Sequence, residues 1–310
     1  MTKINQNKII VIVGPTASGK SDLGIKIARK INGEIISADS RQVYRGMDIG
    51  TGKVPQDRSN ETRYYSSEIR HHLINVVSPK RQFTANNFKK LGEKAIKEII
   101  AKNKVPVIVG GTGFYIDVLL GRMSVAEVPP NPELRKRLEK KSVTHLFKLL
   151  STLDPQRSKN IDPKNKRRLI RALEIYIEGR KLKVESSLKT TPHLPHSTFK
   201  TLWIGLKPKS LEKRIKQRLN KRLQGGMVKE VINLHKQGVS WKRLDDFGLE
   251  YRWVSRYLNK NINYKDMKSG LLREITKYSK RQMTWFKRNK EIHWLKNLKE
   301  AAGLVNQFIL

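Results

Sequence analysis

Two glycines, a lysine and a serine near the amino end of the chain stand at a spacing that suits phosphate binding. Gly14 is followed by four residues and then by Gly19, Lys20 and Ser21, which is the G-x-x-x-x-G-K-[ST] pattern of a phosphate-binding loop. The glycines let several backbone N–H groups point at one centre, while Lys20 offers a charge to phosphate oxygens and Ser21 a hydroxyl to Mg²⁺. The motif is common in ATP-binding proteins, but alone it does not distinguish a nucleotide from another phosphate compound.

A carboxylate and a hydroxyl follow two other apolar runs. Asp39 comes directly after the run 34–38, and Thr112 lies among the glycines that follow the run 105–109. In open parallel α/β sheets, ligands bind at the carboxyl ends of the strands, so we expect both side chains at the same sheet edge as Lys20. Asp39 is a candidate catalytic residue, although helix caps and turns use the same residue type. Thr112 either faces the cleft or only caps a helix.

Positive charge is concentrated in three short segments. Three arginines within 167–171 share one helix face, and three more within 214–222 recur at a spacing of four. The segment 280–288 interleaves Lys and Arg with aromatic residues, which suits a nucleic-acid surface where cations neutralise phosphates and rings stack on bases. The alternative is a solvated helix face whose aromatic residues belong to the core.

The charge balance of the whole chain points to a polyanionic partner. Lys and Arg number 65 against 27 Asp and Glu, a formal net charge of +38. This exceeds what solubility requires, and nucleic acid is the first candidate partner. A lineage-wide preference for Lys accounts for part of the excess but less well for the arginine clusters. A membrane-surface role is weaker, because no strongly hydrophobic amphipathic helix stands out.

Composition also excludes some classes of protein. The sequence contains no Cys, so disulfide and thiolate chemistry are absent. No apolar run is long enough to span a membrane, and no signal-peptide pattern is seen at the amino end. We therefore expect a cytoplasmic protein with no membrane partner. His71 and His72 have no partners at metal-ligand spacing and are interpreted as a structural pair.

Hydrophobic periodicity places the candidate residues on the elements of an α/β fold. The run Ile9 to Val13 is apolar and mostly β-branched, as in a strand buried on both faces, and an amphipathic helix follows the phosphate loop to about residue 31. Further predicted strands are 34–38, 71–76, 105–109 and 201–206, and the clearest further helix is 83–102. The prediction is a P-loop core with a mostly parallel sheet flanked by helices, plus a helical insertion domain.

Changes in composition divide the chain into three parts. Residues 1–121 form the first part of the P-loop core. Residues 122–196 are basic, mainly helical in pattern and flanked by proline-rich stretches, which favours an insertion. Residues 197–310 then complete the core and end in helices.

Five stretches taken together resemble one family, the tRNA dimethylallyltransferases. The resemblance extends from about Ile9 to Trp294, and its most specific part is the block after the second strand, which ordinary P-loop kinases lack. The stretches are GPTASGKS (14–21), ISADSRQVYRGMDIGTGK (36–53), GGTGFY (110–115), NKRRLIRALE (165–174) and KRQMTWF (280–286).

The resemblance implies a reaction and its catalytic residues. Family members transfer a dimethylallyl group from its diphosphate to N6 of adenosine 37, in tRNAs that read codons starting with U. An exocyclic amine is a poor nucleophile and needs a base, a role that the resemblance gives to Asp39, with Thr112 and Lys20 as further catalytic residues. Mg²⁺ is the implied cofactor, with Ser21 as its protein ligand. The implied diphosphate site is Gly14, Thr16, Ala17, Ser18, Gly19, Lys20, Ser21, Arg214 and Arg218.

The resemblance also implies a surface for the anticodon stem-loop. The target adenine has to leave its stack to reach a buried site, and the insertion is expected to grip the stem-loop of a tRNA bound by a monomer. The implied tRNA contacts are Asp39, Ser40, Arg41, Gln42, Thr112, Arg135, Arg167, Arg168, Arg171, Phe247, Arg252, Lys280, Arg281, Gln282, Trp285 and Lys287.

Three positions depart from the pattern of the family. Glu250 stands before Tyr251 where a glycine is common, and Arg41 and Gly52 also differ from residues often seen. A carboxylate at 250 would repel phosphate unless it reads a base or pairs with Arg252. These departures concern the contacts with tRNA and leave the chemistry intact.

Three other functions compete with this reading. A small-molecule P-loop kinase would explain the phosphate loop but not the charge. A prenyltransferase acting on free adenine nucleotides would share the chemistry of Asp39 without needing a large basic surface. A nucleic-acid-binding ATPase would need a carboxylate pair after 105–109, where the sequence has glycines.

Overall fold

The computed structural model describes residues 8–58, 63–126, 128–185 and 199–310. The chain divides into two compact units, one made of the segments up to Met123 and from Leu194 onwards, the other running from Ser124 to His193. Each unit has a hydrophobic core of its own.

A single sheet forms the centre of the first unit. In the described part of the chain its strands are β1 (Lys8–Val13), β2 (Gly33–Ala38), β3 (Tyr64–Ser66), β4 (Ile69–His72), β5 (Val105–Gly110), β6 (Lys200–Gly205) and β7 (His293–Trp294). Their order is β3-β4-β2-β5-β1-β6-β7, and every pairing is parallel except that of β3 with β4. The predicted mostly parallel sheet is confirmed.

Helices flank this sheet and make up most of the remaining structure. The helices of the first unit are α1 (Lys20–Lys30), α2 (Ala85–Ala101), α3 (Gly113–Leu119), α8 (Leu211–Gln224), α9 (Met227–Lys236), α10 (Trp241–Phe247), α11 (Leu249–Leu258), α12 (Tyr264–Phe286) and α13 (Leu298–Ile309); those of the second are α4 (Pro132–Glu139), α5 (Val143–Leu153), α6 (Pro155–Ser158) and α7 (Lys166–Glu185). Within the described ranges, no helix combines the length and apolar character needed to cross a membrane.

The apolar run of β1 is buried on both faces of the sheet. Ile10 and Ile12 pack against Leu23 of α1 on one face, and Val11 packs in the core that contains Phe88 of α2 on the other. This two-sided burial explains why the run reads as continuously apolar rather than alternating. It also fixes the strand that leads into the phosphate loop.

The predicted strand 71–76 is wrong in its bounds. β4 ends at His72, because Leu73 adopts a φ of 63° and turns the chain out of the extended conformation. The His72 ring nitrogen Nε2 lies 2.7 Å from Oε2 of Glu34, and burial lowers the pKa of His71 to about 4. Among the described residues, no cluster of three or more His, Cys, Asp or Glu could hold a metal ion.

A second core joins the segment after β2 to the helices of the carboxyl-terminal half. Val43, Tyr44 and Met47 are buried together with Met227 of α9 and Val254 of α11. Hydrophobic burial therefore holds the polar block that follows Asp39 against α8 to α12.

Candidate active site

β1 carries the phosphate loop to the carboxyl edge of the sheet. A Cβ at Gly14 would lie 2.7 Å from the Leu206 carbonyl oxygen, so this turn needs glycine. Gly19 is the N-cap residue of α1, and no side chain of the described residues caps that end of the helix. The first-turn N–H groups from Lys20 onwards therefore suit an anion. The Ser18 hydroxyl is buried and lacks a hydrogen-bond partner within the described structure.

Cations from two helices converge on the phosphate loop. Arg214 of α8 donates from Nε to the Ala17 carbonyl oxygen at 2.8 Å. One turn further along, Arg218 donates from Nη2 to the Gly52 carbonyl oxygen at 3.1 Å. Together with Lys20, Ser21 and the segment 52–55, these arginines line a cleft of about 750 Å³, which has the charge and size for a diphosphate.

The crowding of positive charge changes how these groups titrate. Burial, with a further contribution from Arg218, lowers the pKa of Lys20 to about 8. Burial and the charge of Arg222 lower the pKa of Arg218 to about 10. Groups with pKa values displaced in this direction are stabilised in their charged forms by a bound anion.

Asp39 and Thr112 lie at the ends of β2 and β5 and are both held by backbone groups. One carboxylate oxygen of Asp39 accepts hydrogen bonds from the N–H groups of Arg41 and Gln42, at 2.8 and 3.3 Å. The Thr112 hydroxyl oxygen accepts from the N–H of Ser40 at 3.2 Å. The two side chains are therefore placed by the same short turn.

The charge of Asp39 acts on the cations of the phosphate loop. It raises the pKa values of both Lys20 and Arg218, opposing the larger effect of burial. Gln42, whose N–H donates to Asp39, also donates to Gly52 in the wall of the cationic cleft, so the carboxylate and this cleft lie close together.

Tyr278 of α12 is a site residue that the sequence reasoning missed. Burial together with the charge of Asp39 raises the pKa of Tyr278 to about 12, and the neighbouring Thr112 side chain opposes that effect. The phenol is therefore protonated at neutral pH. Helical periodicity offered a signal, because positions 278, 282 and 285 lie on one helix face.

Gln282 connects the two loops of the site. Its Oε1 accepts from the N–H of Thr16 at 2.9 Å, and its Nε2 donates to the Gly111 carbonyl oxygen at 2.9 Å. A Cβ at Gly111 would lie 2.2 Å from this amide nitrogen. The amide is thus buried between the phosphate loop and the turn after β5.

Other residues of the 280–287 segment differ in exposure. Lys280, Arg281 and Lys287 are exposed. Trp285 is half-buried, and its indole N–H donates to Oδ2 of Asp117 at 2.8 Å. One face of this helix therefore packs against the core and the other presents cations, and contact of those cations with nucleic acid stays a prediction.

Gly52 makes room for two guanidinium groups. Its φ is +60°, and a Cβ there would lie 2.4 Å from Nη2 of Arg218 and 2.2 Å from Nη2 of Arg222. A larger residue at this position would displace at least one of the cations. Local packing therefore explains why position 52, which departs from the family pattern, is a glycine.

Glu250 pairs with Arg222 and not with Arg252, which was one of the two roles considered for this carboxylate. Glu250 accepts from Nη1 of Arg222 at 2.7 Å, while Arg252 lies 3.3 Å from Asp245 and 3.6 Å from Glu274. Residues two apart on a helix point to different faces, which separates the two groups of α11. Burial raises the pKa of Glu250, and the charge of Arg222 opposes that effect.

Phe247 belongs to the core of the helical half. Its ring is 2% exposed and lies 4.9 Å from the Tyr44 ring, centroid to centroid. The guanidinium carbons of Arg41 and Arg243 lie 5.5 and 4.4 Å from its centroid. Phe247 therefore supports Arg41, whose backbone N–H donates to Asp39.

In the second unit, a fully buried carboxylate organises the arginines. Glu174 is 0% exposed and accepts from Nε and Nη2 of Arg135, at 2.8 and 2.7 Å. It also accepts from Nη1 of Arg171 at 2.5 Å and from the N–H of Asn131 at 2.7 Å. Two of the predicted tRNA contacts are therefore tied to this unit's core.

The other two arginines of that predicted set, Arg167 and Arg168, are exposed on α7. Their side chains present positive charge to solvent from the amino-terminal turn of the helix. They are the members of the insertion's arginine cluster whose exposure suits a phosphate contact.

Comparison with known proteins assigns the chain to a family. The model of the IPP transferase family matches residues 42–289. A tRNA dimethylallyltransferase 1 of Geotalea uraniireducens (strain Rf4) is 40% identical over 305 residues, covering 96% of each chain.

Solved structures agree with this assignment. The tRNA delta(2)-isopentenylpyrophosphate transferase of Staphylococcus epidermidis is 35% identical, with a TM-score of 0.66 over 97% of this chain and 99% of its own. A eukaryotic dimethylallyltransferase acting on tRNA is 25% identical, with a TM-score of 0.73 over 97% of this chain and 77% of its own. The chain therefore belongs to the IPP transferase family, the family of the tRNA dimethylallyltransferases.

Proposed function

We propose that this protein transfers the dimethylallyl group of dimethylallyl diphosphate to N6 of adenosine 37, in tRNAs that read codons starting with U. The observation that carries the proposal is the juxtaposition of a cationic cleft at Lys20 with the carboxylate of Asp39, which Gln42 joins to Gly52 in the cleft wall. A diphosphate held in that cleft would present its alkyl carbon to a nucleophile deprotonated by Asp39.

The transfer is a displacement at the first carbon of the dimethylallyl group. The lone pair of the adenine N6 forms the new C–N bond, and the C–O bond to the diphosphate breaks with its electron pair. The proton of the amine passes to the carboxylate of Asp39, whose other oxygen is held by two backbone N–H groups. Because this base is oriented before substrate binds, it accepts the proton without reorganising.

The leaving diphosphate is stabilised by groups that are already in position. Lys20, Arg214 and Arg218 offset the charge that develops on the oxygen of the breaking bond. The Ser21 hydroxyl oxygen also suits Mg²⁺, which commonly takes one or two protein oxygens and completes its shell with phosphate oxygens and water. Mg²⁺ held by the Ser21 hydroxyl and the substrate would neutralise further negative charge on the diphosphate.

For adenine recognition, we assign the hydroxyls of Thr112 and Tyr278. The Thr112 side chain acts on the pKa of the neighbouring Tyr278 phenol, and Thr112 shares the turn that orients Asp39. The two hydroxyls therefore lie near the general base Asp39 and offer polar atoms to the flipped adenine.

For tRNA binding, the proposal rests on exposed cations. Candidates on the first unit are Lys280, Arg281 and Lys287, and those on the second are Arg167 and Arg168. Phe247 and Gln282 are left out of the proposed surface because their side chains are buried among protein partners. A monomeric state and a cytoplasmic location remain predictions.

A transfer assay tests the proposed function. The protein is incubated with radiolabelled dimethylallyl diphosphate, Mg²⁺ and an anticodon stem-loop carrying adenosines at positions 36 to 38. The matched controls are the same stem-loop with guanosine at position 37 and free AMP. Label in the adenosine stem-loop alone supports the proposal, and label in AMP alone moves the activity to a nucleotide prenyltransferase. Absence of label from both RNA and AMP, with ATP hydrolysed when it is added to the same mixture, would refute the proposal in favour of an ATPase.

A further inference from the structure

Glu230 of α9 is a buried carboxylate that binds the segment 48–50. Its Oε2 accepts from the N–H groups of Asp48 and Ile49 at 2.8 and 2.6 Å, and its Oε1 accepts from the N–H of Gly50 at 3.1 Å. The Tyr251 hydroxyl donates to Oε1 at 2.8 Å. Three consecutive backbone donors and a phenol therefore converge on one side chain from distant parts of the chain.

The same segment continues into the diphosphate cleft. The N–H of Gly52 donates to the Ile49 carbonyl oxygen at 3.0 Å. The Gly52 carbonyl oxygen then accepts from Arg218 at 3.1 Å and from the side-chain amide of Gln42 at 3.4 Å. Gln42 in turn donates its own N–H to Asp39. A displacement of the segment would therefore shift both the Arg218 guanidinium and the Asp39 carboxylate.

We propose that Glu230 is a positioning residue for the transfer reaction, acting through the segment 48–52 to aim Arg218 at the diphosphate and to hold the Asp39 turn. The inference deepens the proposed function and rests on it. Glu230 is not among the residues that line the cleft, so any effect that it has on diphosphate binding is indirect.

The packing around Gly50 shows how little freedom the segment has. A Cβ at Gly50 would lie 2.7 Å from the Tyr251 hydroxyl and 2.8 Å from the ring carbon that bears it. The phenol is 1% exposed, and burial and the charge of Glu230 raise its pKa. Tyr251 is therefore a neutral donor that holds the Glu230 carboxylate in place.

The test replaces Glu230 with glutamine, which keeps the size but exchanges an acceptor for a donor that faces backbone N–H groups. The matched control is Glu34→Gln, because Glu34 is also a buried carboxylate with several partners but lies at the amino end of β2. The melting temperature, the Kd for inorganic pyrophosphate, the Kd for the stem-loop, and kcat and KM for dimethylallyl diphosphate are measured for each variant.

We expect Glu230→Gln to raise the Kd for pyrophosphate by about tenfold and to lower kcat/KM by about 10- to 100-fold, as for a small misplacement of a reacting or binding group. The Kd for the stem-loop should stay within about twofold, because the exposed cations are untouched. Glu34→Gln should lower the melting temperature while leaving the pyrophosphate Kd within about twofold. The inference is overturned if Glu230→Gln behaves like Glu34→Gln.

A second variant decides the matter if Glu230→Gln fails to fold. Tyr251→Phe removes a single hydrogen bond to the carboxylate and should raise the pyrophosphate Kd by about threefold or more, since one net hydrogen bond is worth that order. An unchanged Kd in folded Tyr251→Phe would then overturn the inference. Pyrophosphate binding needs no transfer, so this readout remains informative even if the wild-type protein fails to label the stem-loop.

A double-mutant cycle tests the route through Arg218. In an Arg218→Ala background, the carboxylate has no cation left to aim, so Glu230→Gln should change the pyrophosphate Kd by less than about twofold. Full additivity of the two effects would contradict the proposed route.

Discussion

The affinity of the protein for dimethylallyl diphosphate should fall as the pH rises above about 8. Burial and Arg218 lower the pKa of Lys20 to that value in the free protein. A bound diphosphate favours the ammonium form, which raises the pKa of Lys20 in the complex. Binding above pH 8 is therefore coupled to protonation of Lys20, and the free energy that this protonation requires grows with pH.

The size of this loss of affinity follows from the fraction of protein molecules in which Lys20 is a charged ammonium. With a pKa of about 8, about nine tenths of the molecules are charged at pH 7 and about one tenth at pH 9. The corresponding loss of affinity is about tenfold, or about 1.4 kcal/mol. A lysine with its ordinary pKa would show almost no change over this range.

Isothermal titration calorimetry between pH 7 and pH 9, in buffers of different ionisation enthalpy, measures both the Kd and the number of protons taken up. Lys20→Arg is the control, because its guanidinium stays charged throughout and reports any titration of the ligand itself. Wild-type and control curves that remain parallel, with no proton uptake unique to the wild type, would refute the reasoning.

Four further perturbations follow from the contacts of the site. Asp39→Asn should lower the single-turnover rate of transfer by about 10²- to 10⁴-fold, as for loss of a general base, with pyrophosphate affinity nearly unchanged; a rate near wild type would remove Asp39 from that role. Gly52→Ala should weaken pyrophosphate binding at least about tenfold in calorimetry, because a Cβ would displace Arg218. Raising salt from about 50 to 200 mM should weaken tRNA binding by orders of magnitude in a filter assay if six or more phosphates are contacted, and a flat response would mean that the charge is not a tRNA footprint. Glu174→Gln should destabilise the second unit by about 1.5–3 kcal/mol in denaturant unfolding, because it weakens charge-assisted hydrogen bonds from Arg135 and Arg171, whose side chains are partly exposed, whereas an unchanged midpoint would contradict that role.

Local sequence patterns predicted the central strands well because their burial is two-sided and their turn chemistry is explicit. The run before Gly14 is apolar on both faces, and glycines mark the exits of β1 and β5. The predicted strand after His72 was wrong because a positive φ at Leu73 ends β4, and nothing in the hydrophobic pattern of that run marks the turn.

The sequence by itself also determined the chemistry of the phosphate loop, since the spacing of Gly14, Gly19 and Lys20 is a local property of one strand–loop–helix unit. The partners of that loop were decided by tertiary structure. Gln282 reaches Thr16 across 266 residues, and although periodicity places Gln282 on a helix face, it does not identify Thr16 as the partner. Glu250 of α11 pairs with Arg222 of α8, which lies 28 residues earlier and which the sequence position of Glu250 did not suggest. Residue type thus determined what the site can do, and long-range packing decided which side chains hold it in place.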